Sequence, residues 1–452
     1  MEINYASTLA IKEKRKTSIE HNFYFVLLIM LSFVIFRYYN ITILNYFFLV
    51  IGSLFAVLNP MYGLILYLFS IVFKAYLLVI PGVTFSRYFG ILFLIIMFFN
   101  FLINRTKLNK KLVFFYLLIL ISETISSFFS LSIISSLYGS ALNFLEIGIL
   151  FGIVYLPENN KRLIKYIDII CLLGLFLLSC IAWLTRSSSY YGVRLTICEN
   201  FNPNQLAINL VFLCVIVFNF IFLAKVNYFE KIVRIAVLLF GIWILFLTGS
   251  RSSMFGLLGG VIFSLFYQLK LISNKRTKIT IILIIIIIAI LIFESGFLIT
   301  KGNQFITERY SYNRLFNIEN QSRYYVWKGY LSDVLPNFWL FGTGGSMSGS
   351  LYLEKRSDIF HGAHNIILAI LVQFGIVGLI ILGSFFAITF FKSLKFLKND
   401  SNILPFIAAF IALIMVGIGE NIFSQKVFWF SMAMCWRLTI KSKPANIKKE
   451  RT

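Results

Sequence analysis

The chain has 452 residues, of which 59% are hydrophobic and 13% charged, with a net charge of +23 and a mean hydropathy of +0.87. Soluble domains run at roughly 45–50% apolar and about 25% charged, so soluble classes are excluded. The 51 Phe, 7 Pro and 5 Cys exclude disordered, collagen-like and disulfide-stapled chains as well.

In chain order, residues 1–22 read as a polar cytoplasmic tail ahead of the first apolar run, which has no small-residue cleavage site after it and is expected to stay as an anchor. Crossing ~30 Å of hydrocarbon takes ~20 helical residues. Apolar segments of about that length lie near 23–39, 41–58, 61–80, 88–104, 112–131, 137–156, 166–184, 205–224, 232–248, 253–269, 279–299, 364–391 and 403–437. Most Lys and Arg fall in alternate connections (Lys12–Lys16, Arg105–Lys111, Lys161–Lys165, Lys225–Arg234, Lys270–Lys278, Lys392–Lys398 and the tail from Lys441). By the positive-inside rule these face the cytoplasm, and both termini are expected there. This clustering accounts for the basic excess, and no nucleic-acid partner is expected.

The last stretch, 403–437, is too long for one upright helix and carries Gly417, Gly419, Glu420 and Asn421 near its middle, so it is predicted to fold as a hairpin turning at Glu420–Asn421. The expected fold is an all-α polytopic membrane protein with about fourteen transmembrane helices, or twelve to thirteen if that stretch stays single. Residues 23–299 hold helices 1–11, 300–363 form a large periplasmic loop, 364–437 hold the C-terminal helices, and 438–452 form a basic cytoplasmic tail. Within the loop, Ser322–Leu335 is predicted to be an amphipathic helix with Tyr324, Trp327, Leu331, Val334 and Leu335 on its apolar face, stopped by Pro336. That face suits either the membrane interface or packing on the helix bundle. Gly345–Gly349 reads as a flexible Gly/Ser loop rather than a nucleophile elbow, because Met347 holds the central position. Cys171, Cys180, Cys198, Cys214 and Cys435 lie in or beside apolar segments without a CxxC pair and read as small apolar residues.

Four polar constellations share the outer side: Gly192-Val193-Arg194 with Asn202-Pro203-Asn204, Thr248 to Ser253, Ser322-Arg323, and His361-Gly362-Ala363-His364-Asn365. A guanidinium binds phosphate oxygens bidentately at any pH, and a helix N-terminus offers free N–H groups to the same anion. Arg194, Arg251 and Arg323 converging near the membrane surface would hold a diphosphate; taken singly, each also reads as an interfacial arginine snorkelling to lipid headgroups. His364, at a helix start whose dipole disfavours imidazolium, reads as a general base or as a hydrogen-bonded loop histidine. Two histidines three apart suggest zinc only weakly, since only Asp358 adjoins them, and neither a metal nor another cofactor is expected. Lys74, Glu123, Glu146, Glu294 and Glu420 fall within apolar spans, where ionisable groups are costly. Glu146 reads as the most buried and Glu420 as part of the proposed turn.

The stretch Arg194 to Asn204, TGSR at 248–251, SRxxxW at 322–327, FGTGG at 341–345, AHN at 363–365 and then Gly375-Ile376-Val377-Gly378 follow one another in order. Together they resemble the O-antigen ligase and polymerase family of bacterial surface-polysaccharide enzymes over about 190–380. The resemblance implies a glycan donor on undecaprenyl diphosphate at the outer face of the inner membrane. It implies transfer to a glycan or lipid A core hydroxyl, without nucleotide sugar or metal. By motif position, Arg194, Arg251 and Arg323 would hold the diphosphate, His364 would be the base, and His361 and Asn365 would support it. The helix count and long loop favour a polymerase of O-antigen or capsule, working beside a chain-length regulator protein, over a ligase. A lipid-linked glycan flippase or exporter is the reading from another class; it would place its charges in a central membrane cavity instead of at one face.

Overall fold

The computed structural model describes residues 22–39, 41–73, 78–80, 83–185, 188–189, 192–197, 202–224, 226–271, 322–345, 348–357 and 362–441. The predicted span at 279–299, residues 300–321, 346–347 and 358–361 of the loop (among them Asp358 and His361), and Cys198 lie outside them. The described chain is almost entirely helical and forms two compact units, 1–106 with 156–170 and 107–155 with 171–452.

The first unit carries α1 (Asn22–Tyr38), α2 (Thr42–Leu58), α3 (Pro60–Phe73), a ribbon of β1 (Leu78–Ile80) and β2 (Val83–Thr84), and α4 (Phe85–Asn104), which touches the ribbon. Their core is aromatic: Phe33 meets Phe85 edge-on at 4.7 Å, and Phe23 stacks on Tyr166 at 3.9 Å. Such ring pairs add to simple area burial.

The second unit carries α5 (Lys110–Ser127), α6 (Ile133–Tyr155), the ribbon β3 (Ser188–Ser189) and β4 (Gly192–Leu195), α8 (Pro203–Leu223), α9 (Tyr228–Leu247) and α10 (Arg251–Leu271). The unit boundary falls within α7 (Asn160–Thr185). Then come α11 (Ser322–Gly329), a π turn Tyr330–Val334, α12 (Leu335–Phe338), α13 (Ser348–Ser357), α14 (Ile366–Leu397), α15 (Leu404–Gly417) and α16 (Lys426–Lys441). Among the described helices α4, α6, α7, α8, α10 and α14 are long and apolar enough to cross a bilayer. The 403–437 stretch does divide, into α15 and α16, and α16 runs on to Lys441. Glycine lets two helices of this unit approach closely: Gly256, Gly259 and Gly260 of α10 face Ala412, Met415 and Val416 of α15, whose side chains fill the space a Cβ on α10 would need.

The loop helix departs from its prediction in two ways. Pro336 does not stop it. The Leu335 N–H reaches back to the Tyr330 carbonyl in the wide π pattern, and Pro336, which has no N–H to place, sits in the first turn of α12, so the helical run ends at Phe338. The π turn also rotates the buried face. Val326, Tyr330, Val334 and Leu335 pack with Leu353, Ala363, Leu368, Ala369 and Val372, whereas Leu331 is exposed. Trp327 is partly buried and its Nε1–H donates to the Ala363 carbonyl at 2.6 Å. This helix is packed on α13 and α14, the second of its two predicted settings. Ser348 opens α13 and shares a short hydrogen bond with Ser130, so the 345–349 loop is helical from Ser348 on.

The helix after the histidine motif is broken at Gly375 (φ +64°, ψ −167°), a conformation almost confined to glycine. The break frees backbone groups that the FGTGG loop takes up. Thr343 N–H donates to Val372 O (2.8 Å) and Gly344 N–H to Gln373 O (3.0 Å), while Ile376 N–H donates to Trp339 O (2.8 Å). A Cβ on Gly375 would lie 2.2 Å from the Leu340 oxygen, and one on Gly342 (φ +75°) would lie 2.4 Å from Gln373 backbone. Irregular backbone of this kind survives at membrane depth only when protein covers it. Gly375→Ala should therefore destabilise the fold by about 3 kcal/mol or more, combining conformational strain with overpacking. A lower melting temperature and a smaller monodisperse fraction in detergent will register it, and an unchanged melt would show that the break relaxes.

Candidate functional site

The site lies in the second unit, where the starts of α8, α10, α11 and α14 meet the connection 418–425 between α15 and α16. Each start is fixed locally. Asn202 caps α8, its side chain accepting from Asn204 N–H at 2.8 Å, with Pro203 in the first turn. Gly249 (φ +62°) turns the chain from α9 into α10, and Ser250 donates to Ser253 at 3.0 Å. Asn365 caps α14, accepting from Ile367 N–H (2.9 Å) and Leu368 N–H (3.1 Å), while its Nδ2 donates to Ile418 O at 3.0 Å.

The 418–425 connection is held like a core element. Ile422 and Phe423 are buried, the Phe423 ring lies 5.6 Å from that of Phe374, and Trp429 Nε1–H donates to Phe423 O at 2.8 Å. A Cβ on Gly419 would lie 2.9 Å from Ser252 Cβ and 3.1 Å from an Arg323 Nη1. Hence α10 and α11 both close on this turn.

Glu420 is the hub, only 6% exposed. Its Oε1 accepts from Arg323 Nη2 at 2.7 Å and from Asn204 Nδ2 at 2.5 Å. Its Oε2 faces His364 Nδ1 at 3.2 Å. Arg323 forks, with Nη1 donating to the Gly419 carbonyl. Behind Asn204, Arg194 donates from Nη2 to Asn204 Oδ1 at 2.5 Å and from Nε to Thr248 O at 2.7 Å. A carboxylate this buried needs charge partners and hydrogen bonds together, and it has both. His364 takes a left-handed backbone (φ +47°), rare for a residue with a Cβ and commonest where the surroundings impose it.

Of the predicted residues, Arg323 and His364 meet Glu420 directly, and Arg194 reaches it through Asn204. Arg251, half-buried as the first residue of α10, precedes the Ser252 that touches Gly419. Arg194 is buried and tied to Asn204 and the Thr248 carbonyl, whereas Arg323 and His364 are partly exposed. Asn365 acts on the backbone, and His361 lies outside the described residues. Two site residues escape the sequence reading of roles: Glu420, taken for a turn residue, and Asn204, noticed only within its motif. The available signal for Glu420 was its place inside an apolar stretch, where an ionisable group is expensive. Glu146 does not have the burial expected of it; it is half-buried, and Glu123 on α5 is the more enclosed, at 2% exposure with Asn143 Nδ2 3.3 Å from its Oε1. Among the described residues no three His, Cys, Asp or Glu gather in a metal-holding group.

The second unit of this many-helix membrane protein thus gathers arginines, a histidine and a buried carboxylate where several helix starts meet. Residues 235–383 match the model of the O-antigen ligase family. The matched segment contains Arg251, Arg323, His364 and the Gly375 break; Arg194, Asn204 and Glu420 lie outside it. No curated protein matches the chain in sequence.

Proposed function

We propose that this protein is a bacterial surface-polysaccharide polymerase of the inner membrane, making O-antigen or capsule. It takes a glycan from undecaprenyl diphosphate at the periplasmic face and transfers it as a block to the hydroxyl of an acceptor glycan. The observation that carries the reading is the Glu420–His364 pair set beside Arg323. A carboxylate on Nδ1 favours the neutral tautomer with its proton there, which leaves Nε2 to accept one. The acceptor oxygen attacks the anomeric carbon as its proton passes to His364 Nε2. The bond from that carbon to the phosphate oxygen breaks, and undecaprenyl diphosphate leaves with the electron pair. A single displacement inverts the anomeric configuration. In this reading Arg194, Arg251 and Arg323 hold the diphosphate as charge grows on it, with a supporting role assigned to His361, and cationic donors placed in advance lower such a barrier. No metal or nucleotide enters these steps.

The test is transfer by the purified protein from a lipid-linked repeat unit, with flipping measured in parallel. Flipping without transfer would replace this reading with that of a flippase. In a deletion strain, loss of polysaccharide ladders with one unit kept is expected; loss of every attached unit would mark a ligase that uses the lipid A core. Arg323→Lys should lower transfer by about tenfold or more, because a point-charge ammonium cannot bridge the Gly419 carbonyl, the Glu420 carboxylate and a phosphate as a fork does. Full activity in that variant would reduce Arg323 to a membrane anchor.

A further inference from the structure

We propose that Asn204 is a positioning residue whose amide, oriented by Arg194, holds the Glu420 carboxylate so that its second oxygen faces His364. This rests on the reading of His364 as base. Arg194 has only donors to offer, so Asn204 must turn its Oδ1 to Nη2 (2.5 Å), and that leaves Nδ2 to donate to Glu420 Oε1 (2.5 Å). The amide has one orientation that satisfies both neighbours, and no other neutral side chain of its length supplies an acceptor to one and a donor to the other.

Glu420 thus has two holds on one oxygen, and they differ in kind. Arg323 is partly exposed and stands where a diphosphate would compete for its fork, whereas Asn204 is backed by a guanidinium buried to 6% exposure. When the donor draws Arg323 away, Asn204 is the hold that remains. Without Asn204, Arg194 would reach for Glu420 itself and pull the carboxylate off the imidazole. Among the described residues the elements that meet here carry Glu420, Arg323, Lys328, Arg194, Arg251 and, at the head of α16, Lys426, with Lys270, Lys392, Lys395, Arg437 and Lys441 further along their helices. Glu420 is the only anion in this set, so the position of its carboxylate sets the field at His364.

The experiment follows the rate at which diethyl pyrocarbonate modifies His364 against pH, in full-length protein purified in detergent, read by mass spectrometry of the His364 peptide. Only unprotonated imidazole reacts, so the curve gives the apparent pKa of that ring. Asn204→Leu should move the curve towards that of Glu420→Gln, and Asn204→Gln, which keeps the amide, should stay near the parent. If Asn204→Leu does not accumulate, Asn204→Ala makes the same cut with less bulk. A curve unmoved by the Asn204 variants while Glu420→Gln shifts it overturns the positioning role and leaves the carboxylate–imidazole pair standing. A curve that Glu420→Gln also leaves in place removes the pair itself. The base reading is judged separately, by transfer in His364→Ala.

Discussion

His364→Ala should lower glycan transfer by about 10²- to 10⁴-fold, the usual worth of a positioned general base, while the protein still inserts and folds. The ring is partly exposed and makes its polar contact with Glu420 Oε2 at 3.2 Å, so truncation removes a proton acceptor from the site and little from the core. Glu420 keeps both donors on Oε1, so the carboxylate is not left as an unpaired buried charge. Alanine must still accept φ +47°, a conformation that costs it about 1–2 kcal/mol. His364→Asn is therefore the companion variant, because asparagine tolerates left-handed backbone and cannot serve as the base. Both variants should bind the lipid-linked donor and fail to turn it over. Transfer within a few-fold of the parent by either one, measured with saturating donor, would remove the imidazole from the chemistry.

The helices were legible because composition and spacing report burial directly. The split of 403–437 was visible in two glycines and a Glu-Asn pair, since such a group favours a turn within an apolar run. The arginines and His364 were legible as members of polar clusters at helix starts, where capping residues mark the boundary. Tertiary choices were not. Pro336 reads as a stop by every local rule and fails as one because the preceding turn widens to the π pattern, which leaves no partner waiting for the missing N–H. The Gly375 break is invisible to periodicity, since apolar residues flank it on both sides. It exists because the FGTGG loop, some thirty residues upstream, supplies the hydrogen bonds that the helix gives up. Glu420 carried an ambiguous signal of the same origin. An acid in an apolar segment is either near an end or paired, and its partners, Asn204, Arg323 and His364, come from three distant parts of the chain.

Glu420→Gln should be as damaging to transfer as loss of the histidine, at about 10²- to 10⁴-fold, with a fold close to the parent's. The two side chains have the same shape, and the neighbours dictate how the new amide must sit. Arg323 Nη2 and Asn204 Nδ2 both donate to the Oε1 position, so the amide oxygen must occupy it. The NH₂ group then points at His364 Nδ1, where the carboxylate oxygen had been. Nδ1 becomes an acceptor, and the neutral ring moves its proton to Nε2, the nitrogen that should receive the proton of the acceptor hydroxyl. The base is present, correctly placed and in the wrong tautomer. Raising the pH does not move that proton back to Nδ1. Arg323 also loses its ion partner, so donor binding should hold or tighten while turnover falls. Glu420→Asp keeps the charge on a shorter stem and should retain more activity than Glu420→Gln. If the Gln variant instead transfers glycan at the parent rate, or recovers fully at higher pH, the carboxylate does not set the tautomer of His364.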